Sequence, residues 1–331
     1  MAERDNYIDF LRFIGLLLII LAHVHSPETI HQIRCFDVPL MLFVSGLAYG
    51  NKSLKTSWDG FYLPRLKRLL IPVYLFVVCD LVALYAIGKT ITLENVTKSI
   101  FLCTDGLVGY VWVIKVFVLI MLVTPLLIKL NKRLNKFFFT LFVVGLFGFQ
   151  ELTIYLISTI DKSIPKAIFQ ETIPYLIGYA IPFLLGLKIR TSDKKEEMFF
   201  IILLSSITIC SLVLYIYNNG LPVSITPTYK YPPRSYFIVY GLFASMLLWS
   251  LRSFLKPMTN NKVILFIGRN TIWIYLWHIV YVSLANIFLD SWIIKYFMVC
   301  LLAIITYMIQ YSIIKHLAEN RKTSFFKYFI G

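Results

Sequence analysis

The stretch FLRFIGLLLIILAH, residues 10–23, decides the fold class. It is almost wholly apolar, yet Arg12 stands near its start and His23 at its end. A run this apolar reads as a helix inside a membrane. The segment LAHVHSPETI that closes it offers no small-residue cleavage site, and Glu3, Asp5 and Asp9 stand where a signal peptide would be basic. A retained helix is expected rather than a cleaved leader.

The rest of the chain repeats the pattern. Of 331 residues, 59% are hydrophobic and only 15% charged, against roughly a quarter charged in soluble domains. Apolar blocks lie near 8–25, 36–50, 69–88, 109–128, 137–157, 171–187, 198–217, 235–251, 263–287 and 292–314. They predict an all-α, polytopic membrane bundle of about ten transmembrane helices. Continuous apolarity does not suit a β-barrel, whose strands alternate in polarity. No linker, low-complexity tract or clear repeat divides the chain, so a single transmembrane domain over residues 1–331 is expected.

Loop charge sets the orientation. With the N-terminus inside, the inner segments hold 21 Lys and Arg and the outer ones 8, counting Lys295. This bias puts both termini in the cytoplasm and the chain in the cytoplasmic membrane. It also accounts for most of the net charge of +15. The basic residues are scattered over short loops, so nucleic acid is not an expected partner. The cysteines at 35, 79, 103, 210 and 300 show no metal spacing, and no metal is expected. Cys35 and Cys103 share the outer side, where two free thiols are expected in preference to a disulfide.

Helix geometry bears on Arg12 and His23. At 100° per residue they share one face, about 16 Å apart along the axis. Each has a structural reading: Arg12 snorkels or pairs with Asp9 one turn earlier, and His23 sits at the interface. Each also has a functional one, because ionisable groups inside a membrane default to function. The segment FYLPRLKRLLIPVY, 61–74, adds Arg65 and Arg68, three residues apart on one helix face. Two planar forks suit phosphate oxygens, although basic residues at a helix mouth also serve as simple anchors.

At these positions the chain resembles the membrane-bound acyltransferase-3 family, which acylates sugars of cell-surface polysaccharides. Arg12 and His23 match its arginine–ten residues–histidine arrangement. FDVPLMLFVSG, 36–46, is similar to its Val-Pro…Ser-Gly helix, and Arg65, Arg68 and Pro72 fit its R-x-x-R segment. VWVIKVFVLIMLVTPLL, 111–127, resembles its Trp-led helix, and GRNTIWIYLWH, 268–278, its late Tyr…His helix. One departure is that Trp112 is followed by Val113, Ile114 and Lys115, where an aromatic and a leucine are common. The extra hydrolase-like domain of some members is also missing, so the acceptor is expected to bind to the bundle itself.

The resemblance implies transfer of an acyl group, usually acetyl, from cytoplasmic acyl-CoA to a hydroxyl of a cell-surface or lipid-linked glycan, as in exopolysaccharide O-acetylation. Acetyl-CoA, the glycan and membrane lipids are then the expected partners. Arg12, Arg65 and Arg68 are the candidate ligands of the CoA phosphates, with Arg269 on the same inner side. Removing a hydroxyl proton needs a base, and histidine suits neutral pH. His23 is the candidate and His278 the second, with Tyr275 one turn before it.

Asp37, Trp112, Lys115, Glu151 and Tyr275 are candidate acceptor contacts. Lys115 and Glu151 lie at equal depth on consecutive helices, which predicts an ion pair. His25 and His31 read as interfacial. The loop TYKYPPRSYF, 228–237, suits either a sugar-facing rim or a plain helix entrance, and the second is the commoner use. A transporter or flippase for a lipid-linked sugar is the alternative, but the matched broken helices of such proteins are not seen.

Overall fold

The structure is a computed structural model that describes residues 4–50, 58–159, 169–220, 223, 229–321 and 327–330. Lys52, Lys55, Lys162, Lys166 and Lys322, five of the loop cations counted above, lie outside them. The helices are α1 (Asn6–Leu21), α2 (Glu28–Ile33), α3 (Asp37–Tyr49), α4 (Leu63–Ala86), α5 (Leu93–Ile100), α6 (Trp112–Arg133), α7 (Lys136–Ser158) and α8 (Ile173–Thr191). They continue with α9 (Lys194–Asn219), α10 (Ser235–Ser250), α11 (Arg252–Leu255), α12 (Lys262–Arg269), α13 (Thr271–Phe288), α14 (Trp292–Arg321) and α15 (Lys327–Ile330). The described residues hold no β-strand.

Each apolar block is helical, but not each is a span. Among the described residues, seven helices are long and apolar enough to cross a membrane, and α10 with its continuation to Asn260, bent by 57°, makes an eighth if counted as one. The sequence pattern led to an expectation of about ten. α1 has 16 residues and α3 has 13, about 24 and 20 Å at 1.5 Å per residue. Both fall short of a roughly 30 Å hydrocarbon layer. The apolar run of the first block continues past the helix end at Leu21, so it overstated the helix. The ninth block divides at Asn270, whose φ of −123° and ψ of 36° break the helix between α12 and α13.

The two short helices are central rather than peripheral. α3 packs chiefly on α8, and α1 packs on α3 and α12. Two glycines set the α3–α8 distance. A Cβ on Gly46 would lie 2.1 Å from the Phe183 carbonyl oxygen, and one on Gly186 would lie 2.1 Å from that of Phe43. The backbones therefore touch directly, as small residues permit at membrane helix crossings. The apolar window of α8 is 72% buried, against 11% for α7 and for α9. Exposed Phe137, Leu141 and Val144 of α7 and Ile202, Ile209 and Val213 of α9 form apolar outer faces. Faces of that kind suit lipid and not water, and the chain is a multi-pass membrane protein.

Candidate functional site

The two ends of α1 carry different chemistry. At its start, Asp5 caps the helix by accepting from the Tyr7 amide, which fixes the first turn. Asp9, in that turn, is fully buried. It accepts from Arg4 Nε at 2.7 Å, Arg12 Nη1 at 2.9 Å and Arg269 Nε at 3.0 Å. Arg269 arrives because α12 presses on α1 at Gly268, where a Cβ would lie 2.0 Å from the Asp9 carbonyl oxygen. Three guanidinium groups thus share one carboxylate, leaving two positive charges over. All three arginine side chains keep part of their surface exposed, so their remaining N–H donors are open to an anion.

Arg12 therefore takes the pairing with Asp9 that its spacing allows. Arg65 and Arg68, read as twin forks, separate. Arg65 Nε donates to the Tyr49 hydroxyl at 2.9 Å and its Nη1 to the Phe61 carbonyl at 2.9 Å. Its guanidinium also covers the Phe61 ring at 4.1 Å. Much of that fork is committed to the protein. Arg68 is exposed and stands close enough to Arg4 for their charges to interact. It neighbours the arginines around Asp9, and Arg65 braces the turn before α4.

At the other end, His23 follows α1 and His278 comes from α13. Their ring centres are 5.3 Å apart, and Tyr110 meets His23 edge-on at 4.6 Å. His278 is fully buried, whereas His23 is part-buried on the wall of a cavity of about 380 Å³. The Tyr275 carbonyl accepts from His278 Nδ1. A carbonyl only accepts, so Nδ1 carries the proton and Nε2 of the neutral ring keeps its lone pair. That Nε2 is buried without a partner. His23 Nδ1 likewise makes no hydrogen bond of acceptable geometry, although the Ile19 carbonyl lies nearby. The Tyr275 hydroxyl donates to the Tyr110 carbonyl, so Tyr275 braces the two histidines from behind.

Trp112 is not on the cavity wall. It packs among Tyr175, Tyr179 and Tyr231 at 5.6, 6.1 and 5.3 Å between ring centres. Tyr231 stands between it and the cavity side and does line the cavity, as does Lys230. The loop 228–237 therefore serves the cavity, against its reading as a plain helix entrance; Thr228 itself lies outside the described residues.

The predicted Lys115–Glu151 pair does not form. Lys115 Nζ bonds Glu171 Oε2 at 2.8 Å, and Thr104 donates to the same carboxylate. Glu151 accepts from the Ser235 amide at 2.7 Å and Arg234 Nε at 3.2 Å. A carboxylate at the first turn of α10 complements the helix dipole there. The physical reason is packing order. α8 packs against both α6 and α7, so Lys115 meets the approach to α8 rather than the next helix in sequence.

Asp37, a candidate contact, is held by Arg34 Nη1 at 2.9 Å and Lys230 Nζ at 3.2 Å. Arg34 Nη2 also donates to the His31 ring, 2.6 Å from Nε2. Burial, and then Arg34, push the His31 pKa down to about 4. Sequence reasoning read His31 as interfacial and did not single out Arg34 or Lys230. The i, i+3 spacing of Arg34 and Asp37 was the only available signal. Cys35 and Cys103 are buried free thiols.

A family model described as an acyltransferase domain matches residues 5–311 of the chain. No curated protein and no solved structure matches it.

Proposed function

The chain belongs to the acyltransferase-3 family, and on that premise we propose that it moves an acyl group, acetyl by preference, from cytoplasmic acyl-CoA to a glycan hydroxyl. The acceptor is a cell-surface or lipid-linked sugar, and the protein works in the cytoplasmic membrane with both termini inside. The observation that carries this reading is the meeting of His23 and His278 at 5.3 Å beside a cavity, at the far end of α1 from the arginines around Asp9.

The two ends divide the labour. Coenzyme A carries a pyrophosphate and a 3′-phosphate, and Arg4, Arg12, Arg68 and Arg269 offer them surplus positive charge and planar forks. Asp9 holds three of these side chains in place without neutralising the group. About 14 Å of α1 separates Arg12 from the helix end at Leu21, two residues before His23, a span suited to an extended pantetheine arm. The thioester then lies near the histidines.

His23, on the cavity wall, takes the proton of the attacking hydroxyl as the carbon–oxygen bond forms. The carbon–sulfur bond breaks, and the proton passes to the departing thiolate of CoA. His278 stands behind His23 as a second imidazole with a free lone pair. Two imidazolium ions this close would repel, so the pair works with one proton at a time. The acyl group passes directly, with no acyl-enzyme.

Purified His23→Ala protein tests this. Glycan acylation is lost while acyl-CoA still binds. Acylation at the wild-type rate in that variant would sink the assignment. Labelled acetyl-CoA supplied without acceptor leaves no label on the protein if transfer is direct.

A further inference from the structure

Arg34, Asp37 and Lys230 form a buried group with an unbalanced charge. Their side chains are 3, 2 and 4% exposed. Two cations share one carboxylate, so among the described residues one positive charge is left without a counter-ion. Burying such a charge is costly unless it is paired. His31 does not help, since it stays neutral while accepting from Arg34. Arg34 Nε is also buried without a partner. Asp37, by contrast, is saturated by both cations and its own Val38 amide.

The surplus charge faces a space. Arg34 and Lys230 both line the 380 Å³ cavity, together with His23, His31, Tyr231 and Glu28. This volume lies in the range of small-molecule sites. Glu28 is the one carboxylate among these residues, and it stands on the exposed rim, where water and salt screen it. His23 is also on this wall, so whatever neutralises the cations sits beside the candidate base.

We propose, building on the acyltransferase reading, that this cavity binds an oxyanion carried by the acceptor, a sugar carboxylate or a sugar phosphate. Arg34 and Lys230 grip the oxyanion while the hydroxyl to be acylated faces His23. An arginine fork and a lysine point charge together suit either group. The acceptor is then an acidic sugar or a sugar phosphate and not a neutral one. Recognition through a buried charge also rejects neutral sugars, because they leave the cations unpaired.

The test is equilibrium binding of three sugars to the purified full-length protein in lipid nanodiscs. The probes are glucuronate, glucose 1-phosphate and glucose, followed by thermal shift and by tryptophan fluorescence. At least one of the anionic sugars binds tenfold or more tightly than glucose. Tighter glucuronate assigns the carboxylate, and tighter glucose 1-phosphate assigns the phosphate. Lys230→Gln leaves Arg34 and Asp37 as a neutral pair, so the fold is kept and the preference for the anionic sugar falls to the level of glucose. Asp37→Asn leaves two cations unbalanced and tightens the anionic sugar, a gain that a purely structural triad would not produce.

Equal binding of all three sugars by the wild type, or an unchanged preference in Lys230→Gln, overturns the proposal. So does inorganic phosphate binding as tightly as glucose 1-phosphate, which would mean that no sugar is recognised. Acetyl-CoA binding to the wild type is measured separately. Its absence alongside an intact anion preference would overturn the acyltransferase reading and leave the anion site standing.

Discussion

Gly268 and Asp9 meet backbone to backbone: a Cβ on the glycine would lie 2.0 Å from the Asp9 carbonyl oxygen. No side chain fits, so Gly268→Ala must push α12 off α1. Overpacking of this kind costs about 1–3 kcal/mol. It also carries Arg269 away from Asp9, so acetyl-CoA affinity falls with the melting temperature. Gly145→Ala is the control, because nothing lies within 4 Å of an added Cβ there. That change is neutral or slightly stabilising in a helix, by about 1 kcal/mol or less. Thermal melts and calorimetric titration with acetyl-CoA separate the two variants.

Arg65 and Arg68 should fail differently. Arg65→Ala loses its bonds to Tyr49 and to the Phe61 carbonyl, and its main effect is a lower melting temperature. Arg68→Ala keeps the melting temperature and weakens acetyl-CoA binding. If Arg65→Ala melts like the wild type yet binds acetyl-CoA poorly, its fork grips the donor instead.

His278→Asn separates the two nitrogens of that ring. The amide can still donate to the Tyr275 carbonyl, but the Nε2 lone pair is gone. Turnover falls by about tenfold or more if that lone pair assists His23, with little change in KM for acetyl-CoA. Wild-type turnover in this variant would reduce His278 to packing.

The Lys115–Glu171 bond is testable by a double-mutant cycle with glutamine at each position. Residues in direct contact couple by about 0.5–3 kcal/mol. The cycle for Lys115 and Glu151 gives additive effects on melting, since the two do not touch. Coupling at 115–151 and none at 115–171 would refute the observed packing of α8 between its neighbours.

His31 gives the acid side of the stability profile a defined sign. Its folded pKa, about 4, lies below the ordinary value of 6.5. Between those two values the unfolded chain binds a proton that the folded chain does not. Stability therefore rises with pH across that window and is lost on acidification. His31→Gln removes this contribution, so its melting temperature changes less than the wild type's between pH 6.5 and 4. Parallel profiles for the two proteins would rule out the effect.

The helical, multi-pass character was legible because apolar runs survive any tertiary arrangement. The helix ends were not, because an apolar run does not reveal where a helix stops, as Leu21 and Asn270 illustrate. The Arg12–Asp9 bond follows from local spacing and could be read directly. Arg269 joining them depends on Gly268, far away in the chain. His23 and His278 could each be named as bases, but their contact is a property of how α1 and α13 pack. Lys115 was misassigned for the same reason: depth in a membrane is readable, and neighbour order is not. Arg34 and Lys230 were missed because each looks like an ordinary loop cation until Asp37 brings them together.

The Gly46–Gly186 crossing restricts how the bundle can move. α3 and α8 touch through carbonyls and amides, with no side chains between them to act as bearings. A rocking carrier would have to part its two halves near the midplane. Here α3 and α8 are welded at that seam, and parting them would forfeit a backbone-to-backbone contact in the core. On the proposed acyltransferase reading, cargo and recipient meet in a wall that stays shut, and neither needs to cross it whole.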